Sequence, residues 1–134
     1  MSYALGAALQ MAVYETLTQD TAISALIGDA IYDNAPAGAE PALYAFLGTE
    51  DAFARNDKTG TGALHRFTVS VVSQEAGFAR AVAAAISDAL HRAQPAMARG
   101  RVVSLNFERA RARRTNPEQR RQIELRFAAR VEDA

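Results

Sequence analysis

Between Arg99 and Arg130 apolar and polar side chains alternate along two runs, Val103, Leu105 and Phe107 on the first and Ile123, Leu125, Phe127, Ala129 and Val131 on the second. Arg113-Arg114-Thr115-Asn116-Pro117-Glu118 supplies turn residues between them. The segment therefore predicts one long β-hairpin with a buried apolar side, an arginine-rich outer side and a charged tip. Nearer the N-terminus the period changes. Leu5, Leu9, Val13 and Leu17 recur every four residues, which predicts a helix over residues 2–17 with Ser2 placed to cap it. Asp20 or Thr21 can cap a second, short helix through Ala22, Ile23, Ala25, Leu26 and Ile27, ended by Gly28. Ile31-Tyr32-Asp33 reads as a brief extended segment and Pro36, Gly38 and Pro41 as a constrained loop, followed by a strand from Ala42 to Gly48. From Thr49 to Gly62 charged residues and glycines offer too little apolar surface to fix the backbone, so a mobile loop is expected. Alternation returns over Leu64 to Ser73, with Phe67, Val69 and Val71 on one side and Arg66, Thr68 and Ser70 on the other. A long helix from Glu75 to Ala93 follows, its Phe78, Val82, Ile86 and Leu90 stripe facing the sheet and Pro95 enforcing its end.

This order predicts an α+β fold: a mainly antiparallel four-stranded sheet covered on one face by two helices, with a long C-terminal β-hairpin. The other face is left to water or to a neighbouring subunit. A chain of 134 residues is the size of one domain able to bury its own core, and nothing in residues 1–134 marks a linker. The absence of cysteine excludes a disulfide framework, a thiolate metal site and a cysteine nucleophile, and it suits production in a reducing cytoplasm. No apolar run approaches the roughly 20 residues of a membrane span. Met1-Ser2-Tyr3-Ala4-Leu5 lacks the basic start of a signal peptide, so neither membrane insertion nor export by that route is expected.

A formal net charge of +0 conceals a division: residues 1–98 hold five basic and ten acidic side chains, and residues 99–134 hold ten basic and five acidic. Such polarity fits nucleic-acid contact, and it equally fits copies of the chain that pack the basic part of one against the acidic part of the next. A solvated arginine face with no partner is the plainest alternative.

Catalytic chemistry finds little to work with. His65 opens a strand and His91 lies near a helix C-terminus, in neither an HxxxH nor an HxH spacing, so no metal site is expected. Gly60-Thr61-Gly62 lacks the GxxxxGK[ST] frame and precedes a strand, which makes it a turn rather than a phosphate loop. Ser70, Ser73, Ser87 and Ser104 lie outside any GxSxG elbow. No cofactor and no enzymatic activity are expected.

As an ordered whole the chain resembles the small tail-completion or tail terminator proteins of long-tailed phages and phage-derived particles. The resemblance is carried by Leu9-Gln10-Met11-Ala12-Val13-Tyr14-Glu15-Thr16-Leu17 with Asp20, Ile31-Tyr32-Asp33 with Pro36 and Pro41, and the polar loop before His65. It continues through Ala89-Leu90-His91, Arg101-Val102-Val103-Ser104-Leu105-Asn106-Phe107-Glu108 and Ile123-Glu124-Leu125-Arg126-Phe127. The alanine- and arginine-rich composition resembles that of proteins from high-GC bacteria, and similarity to the terminators of gene transfer agents is expected.

The resemblance implies a structural protein without a catalytic centre. Six copies would form a ring on the completed tail tube, at the head-proximal end of the tail. The ring would stop tube polymerisation, offer a surface to the head-tail connector and let DNA pass through its lumen without sequence recognition. The residues expected at interfaces with a neighbouring copy, the tube protein or the head are Arg109, Arg111, Arg113, Arg114, Arg120 and Arg121 on the hairpin and Asp51, Arg55, Asp57 and Lys58 on the polar loop. A module that uses the hairpin arginines against nucleic-acid phosphates is the competing reading, disfavoured by the lack of aromatic residues among them.

Overall fold

Burial of one face of each element turns these local patterns into an architecture. The computed structural model describes residues 5–33, 41–54, 62–74, 76–115 and 120–133. Helices α1 (Gly6–Gln19) and α2 (Thr21–Ile27) lead into strands β1 (Ile31–Tyr32), β2 (Leu43–Ala54) and β3 (Gly62–Ser73). Helix α3 (Ala76–Leu90) then precedes β4 (Arg101–Thr115) and β5 (Arg120–Glu132). The strands form one five-stranded sheet in the order β1-β2-β3-β5-β4, antiparallel except where β1 runs parallel to β2.

The expected four-stranded sheet is thus corrected to five strands and made mixed. A two-residue strand has no alternation to read, and β1 is held by its pairing of Ile31 with Ala45 and Tyr32 with Phe46. Three helices, not two, contribute to the core. Leu9, Val13 and Leu17 of α1, Ile23 of α2 and Val82, Ile86 and Leu90 of α3 share one apolar cluster with the inward side chains of the sheet. On β5 those are Ile123, Leu125, Phe127, Ala129 and Val131, as their alternation predicts.

The helix ends follow local chemistry. Asp20 caps α2 by accepting from the Ile23 backbone N–H at 3.0 Å, and Gly28 ends it at φ 61°. Helix α1 begins at Gly6, four residues later than expected, with no side-chain cap, and Ser2 lies outside the described residues. Helix α3 stops at Leu90, well before Pro95, because Arg92 turns into the left-handed region at φ 65° and the Ala93 N–H returns to the Leu90 carbonyl. Phe78 is 54% exposed instead of facing the sheet. A four-residue step advances about 40° around a helix of 3.6 residues per turn, so Phe78 stands about 120° from Leu90. It leaves the arc defined by Ala79, Val82, Ala83, Ile86 and Leu90.

Bulges account for the other departures. Register slips by one residue between Leu47 and Glu50 of β2, and twice in β4, between Val102 and Ser104 and between Phe107 and Arg109. Each slip inverts the face that later residues present. In β4 Val102 and Leu105 are buried, the bulged Val103 is half-buried, and Phe107, opposite Phe127 on the inward face, is half-buried as well. In β2 the slip lets the strand continue to Ala54, so residues 49–54 and Gly62, expected in a mobile loop, belong to the sheet. Gly48 sits at the slip, where a Cβ would lie 2.3 Å from the Thr68 hydroxyl oxygen. Gly100 opens the hairpin at φ +72°, with space for a Cβ closed by the Glu132 carbonyl oxygen at 2.6 Å. The outward face of the sheet is not wholly open either, since Tyr44, Ser70 and Val72 on it are buried.

Candidate assembly surface

Strand order converts the charge division of the sequence into a spatial one. Residues 1–54 contain no lysine or arginine and seven carboxylates, and their described part builds α1, α2 and the strands β1 and β2 that form one edge of the sheet. The arginine-rich β4–β5 hairpin forms the opposite edge.

Within the hairpin the second β4 slip sorts the arginines between two faces. Arg109, Arg111 and Arg113 stand opposite Arg126, Glu124 and Gln122 and share their outward face. Arg114 pairs with Arg121 and shares the side of Ala112 and Ile123, which faces the helices. Arg120 lies opposite Thr115 and is half-buried. Arg109, Arg111 and Arg113 thus lie on the expected outer side, while Arg114 and Arg121 stand on the opposite face of the hairpin. Residues 116–119 lie outside the described residues, as do Arg55, Asp57 and Lys58. Asp51 is described: it is exposed on the outward face, opposite Arg66.

Carboxylates partly neutralise the outward face. Glu108 accepts from the Nε of both Arg66 and Arg126 at 3.2 Å, and Arg113 lies 3.3 Å from Glu124. The Arg66 guanidinium also stands 5.7 Å above the Phe53 ring. At the base of the hairpin Arg101 pairs with Glu132 and Arg99 with Asp133, each at 2.6 Å. The hydrogen bond from Arg99 holds the Asp133 carboxyl below its ordinary value, and the same bond raises the Arg99 guanidinium. Arg109 and Arg111 join Thr68, Glu124 and Arg126 around a small surface depression.

Both histidines have structural surroundings. His65 is fully buried, with Nδ1 3.1 Å from Glu50 Oε2, a contact that the β2 slip creates by turning Glu50 inward. His91 Nδ1 accepts the Phe107 backbone N–H at 3.1 Å, and the Arg92 N–H donates to the Leu105 carbonyl at 2.7 Å. The turn after α3 thereby covers the outer edge of β4 as far as Phe107 and shields it from unwanted strand pairing. Burial also raises the Tyr44 phenol, with Tyr32 adding to the shift. Among the described residues no three His, Cys, Asp or Glu side chains converge as metal ligands, and no helix is long and apolar enough to cross a membrane.

Alternation alone did not reveal a second feature of the hairpin. Its inner side outruns α3, so Ala110 and Ala112 occupy inward positions yet are exposed. With Phe107, Ile123 and Leu125 they line an apolar groove of about 410 Å³ against Arg80, Ala83, Ala84 and Ser87 of α3. Its signal was present in Arg109-Ala110-Arg111-Ala112-Arg113, where every second residue is small and apolar.

Comparison with known proteins matches residues 11–132 to the family described as Tail completion protein gp17. A chain in a solved structure entitled "Virion of native gene transfer agent (GTA) particle" is 47% identical, with a TM-score of 0.90. The match covers 97% of this chain and 98% of that one. No curated protein matches at the sequence level.

Proposed function

The chain belongs to the tail completion protein gp17 family, and from that premise we propose that it forms a six-membered ring at the head-proximal end of a phage-like tail. Its role in such a tail is structural. In this reading the ring sits on the completed tube, ends its polymerisation and gives the head-tail connector a surface to join. The observation that carries the reading is the placement of opposite charge on opposite sheet edges. A contact between unlike edges is heterologous, and repeated heterologous contacts close into a ring when the rotation between copies permits.

The hairpin arginines Arg109, Arg111, Arg113, Arg114, Arg120 and Arg121, with Asp51, Arg55, Asp57 and Lys58, are assigned to contacts with neighbouring copies, the tube protein or the connector. DNA would traverse the lumen without being read. Pairing of Arg66, Arg126 and Arg113 with Glu108 and Glu124 supports this over dedicated nucleic-acid binding, because a phosphate-binding face gains by leaving its cations to the phosphates. Particle production in cells lacking the chain tests the proposal. Tails of uncontrolled length without heads are expected, whereas particles of normal length joined to heads would overturn it.

A further inference from the structure

We propose that the apolar groove between α3 and the overhanging hairpin is the socket for the exposed face of α1 from a second copy of this chain. The inference rests on the ring reading above and names its interface. The groove floor is made of Ala83, Ala84, Ala110, Ala112, Ile123 and Leu125, and Arg80 stands at its wall. Beyond Ala112, the same face of the hairpin continues into Arg114 and its partner Arg121. Guanidinium groups bordering an apolar floor repel those of a second identical groove, which disfavours groove-to-groove pairing. Such a floor favours an apolar surface accompanied by carboxylates.

The acidic N-terminal segment of the same molecule offers one on α1. Met11 is 57% exposed on α1, and Ala7 and Glu15 lie one turn to either side of it, also exposed. A methionine adapts its unbranched side chain to an irregular socket. Placing Met11 on the alanine floor would bring Glu15 toward arginines of the other copy. Residues 1–54 hold no lysine or arginine, so α1 and the rest of that segment bring no like charge of their own. Small residues at 110 and 112 leave room for a helix; larger side chains there would fill the groove and cover it within one copy.

Because the chain has no cysteine, two introduced thiols report the contact directly. Particles carrying the Met11→Cys/Ala112→Cys double variant, treated with a short bismaleimide, should yield a ladder of cross-linked chains reaching six, and each single variant should not. Six-fold rings in the particles without a ladder would overturn the socket while leaving the ring reading standing. Particles in which the chain is not arranged in a ring would overturn both. As a second measurement, Ala112→Asp should keep the melting temperature of the free chain and lower particle yield at least tenfold; wild-type yield would overturn the socket.

Discussion

Phe127→Ala tests whether the hairpin is an integral part of the core or an appendage to it. Phe127 is fully buried on β5, stacked on Phe67 with centroids 5.6 Å apart and edge-on to Phe107 at 5.8 Å. Truncating a buried phenylalanine costs about 3–5 kcal/mol, the lost transfer energy plus the cavity left behind. That is a large share of a total stability on the order of 7–20 kcal/mol, taking about 0.05–0.15 kcal/mol per residue. With a urea m value of about 2 kcal/mol/M, a loss of about 4 kcal/mol moves the midpoint down by about 2 M. With an unfolding entropy of about 2.1 cal/mol/K per residue, the melting temperature falls by about 14 °C. Phe107→Ala should cost less, because Phe107 is half-buried at the mouth of the groove. A double-mutant cycle between Phe67 and Phe127 should return a coupling of about 0.5–1.5 kcal/mol for the stacked pair. A loss below about 1 kcal/mol for Phe127→Ala, or no coupling to Phe67, would refute this packing.

Gly100→Ala should destabilise by more than about 2 kcal/mol, since the positive φ alone costs about 1–2 kcal/mol and the new Cβ meets the Glu132 carbonyl oxygen; an unchanged urea midpoint would contradict the turn geometry. Replacing the exposed Arg111, Arg113 and Arg114 together with Ser should leave the melting temperature nearly unchanged, because exposed pairs are worth under about 1 kcal/mol. Particle assembly should fall, and salt should weaken the wild-type contact in the same direction. If assembly is normal, these arginines are a solvated face. Burial raises the Tyr44 phenol above its ordinary 10.0, so the stability it confers is present below that pH and is lost as pH rises toward the higher folded value. Absorbance titration of wild type against Tyr44→Phe should show the late-titrating phenol disappear; loss of an ordinary one would contradict its burial.

The strand period made β5 and the inner side of β3 legible, because Ile123 to Val131 and Phe67 to Val71 alternate without interruption. Asp20 and Gly28 likewise marked the ends of α2 through capping and left-handed geometry. What escaped includes several placements that depend on register slips. Alternation assumes an unbroken ladder, and one extra residue at Leu47/Glu50 or Phe107/Arg109 inverts each later assignment. Glu50 thus turned inward to His65, and the hairpin arginines divided between two faces. Phe78 was misplaced by an analogous drift, the mismatch between a four-residue step and the helical turn. The groove depends on how far the hairpin extends past α3, a relation between distant elements that neither segment encodes alone.

Electron microscopy of purified tail tubes incubated with the chain shows whether it caps them as a ring. A six-fold ring is expected at one end of each tube, and tubes so capped should stop growing when more tube protein is added. Single copies scattered along the tubes, or capped ends that continue to elongate, would contradict the capping role.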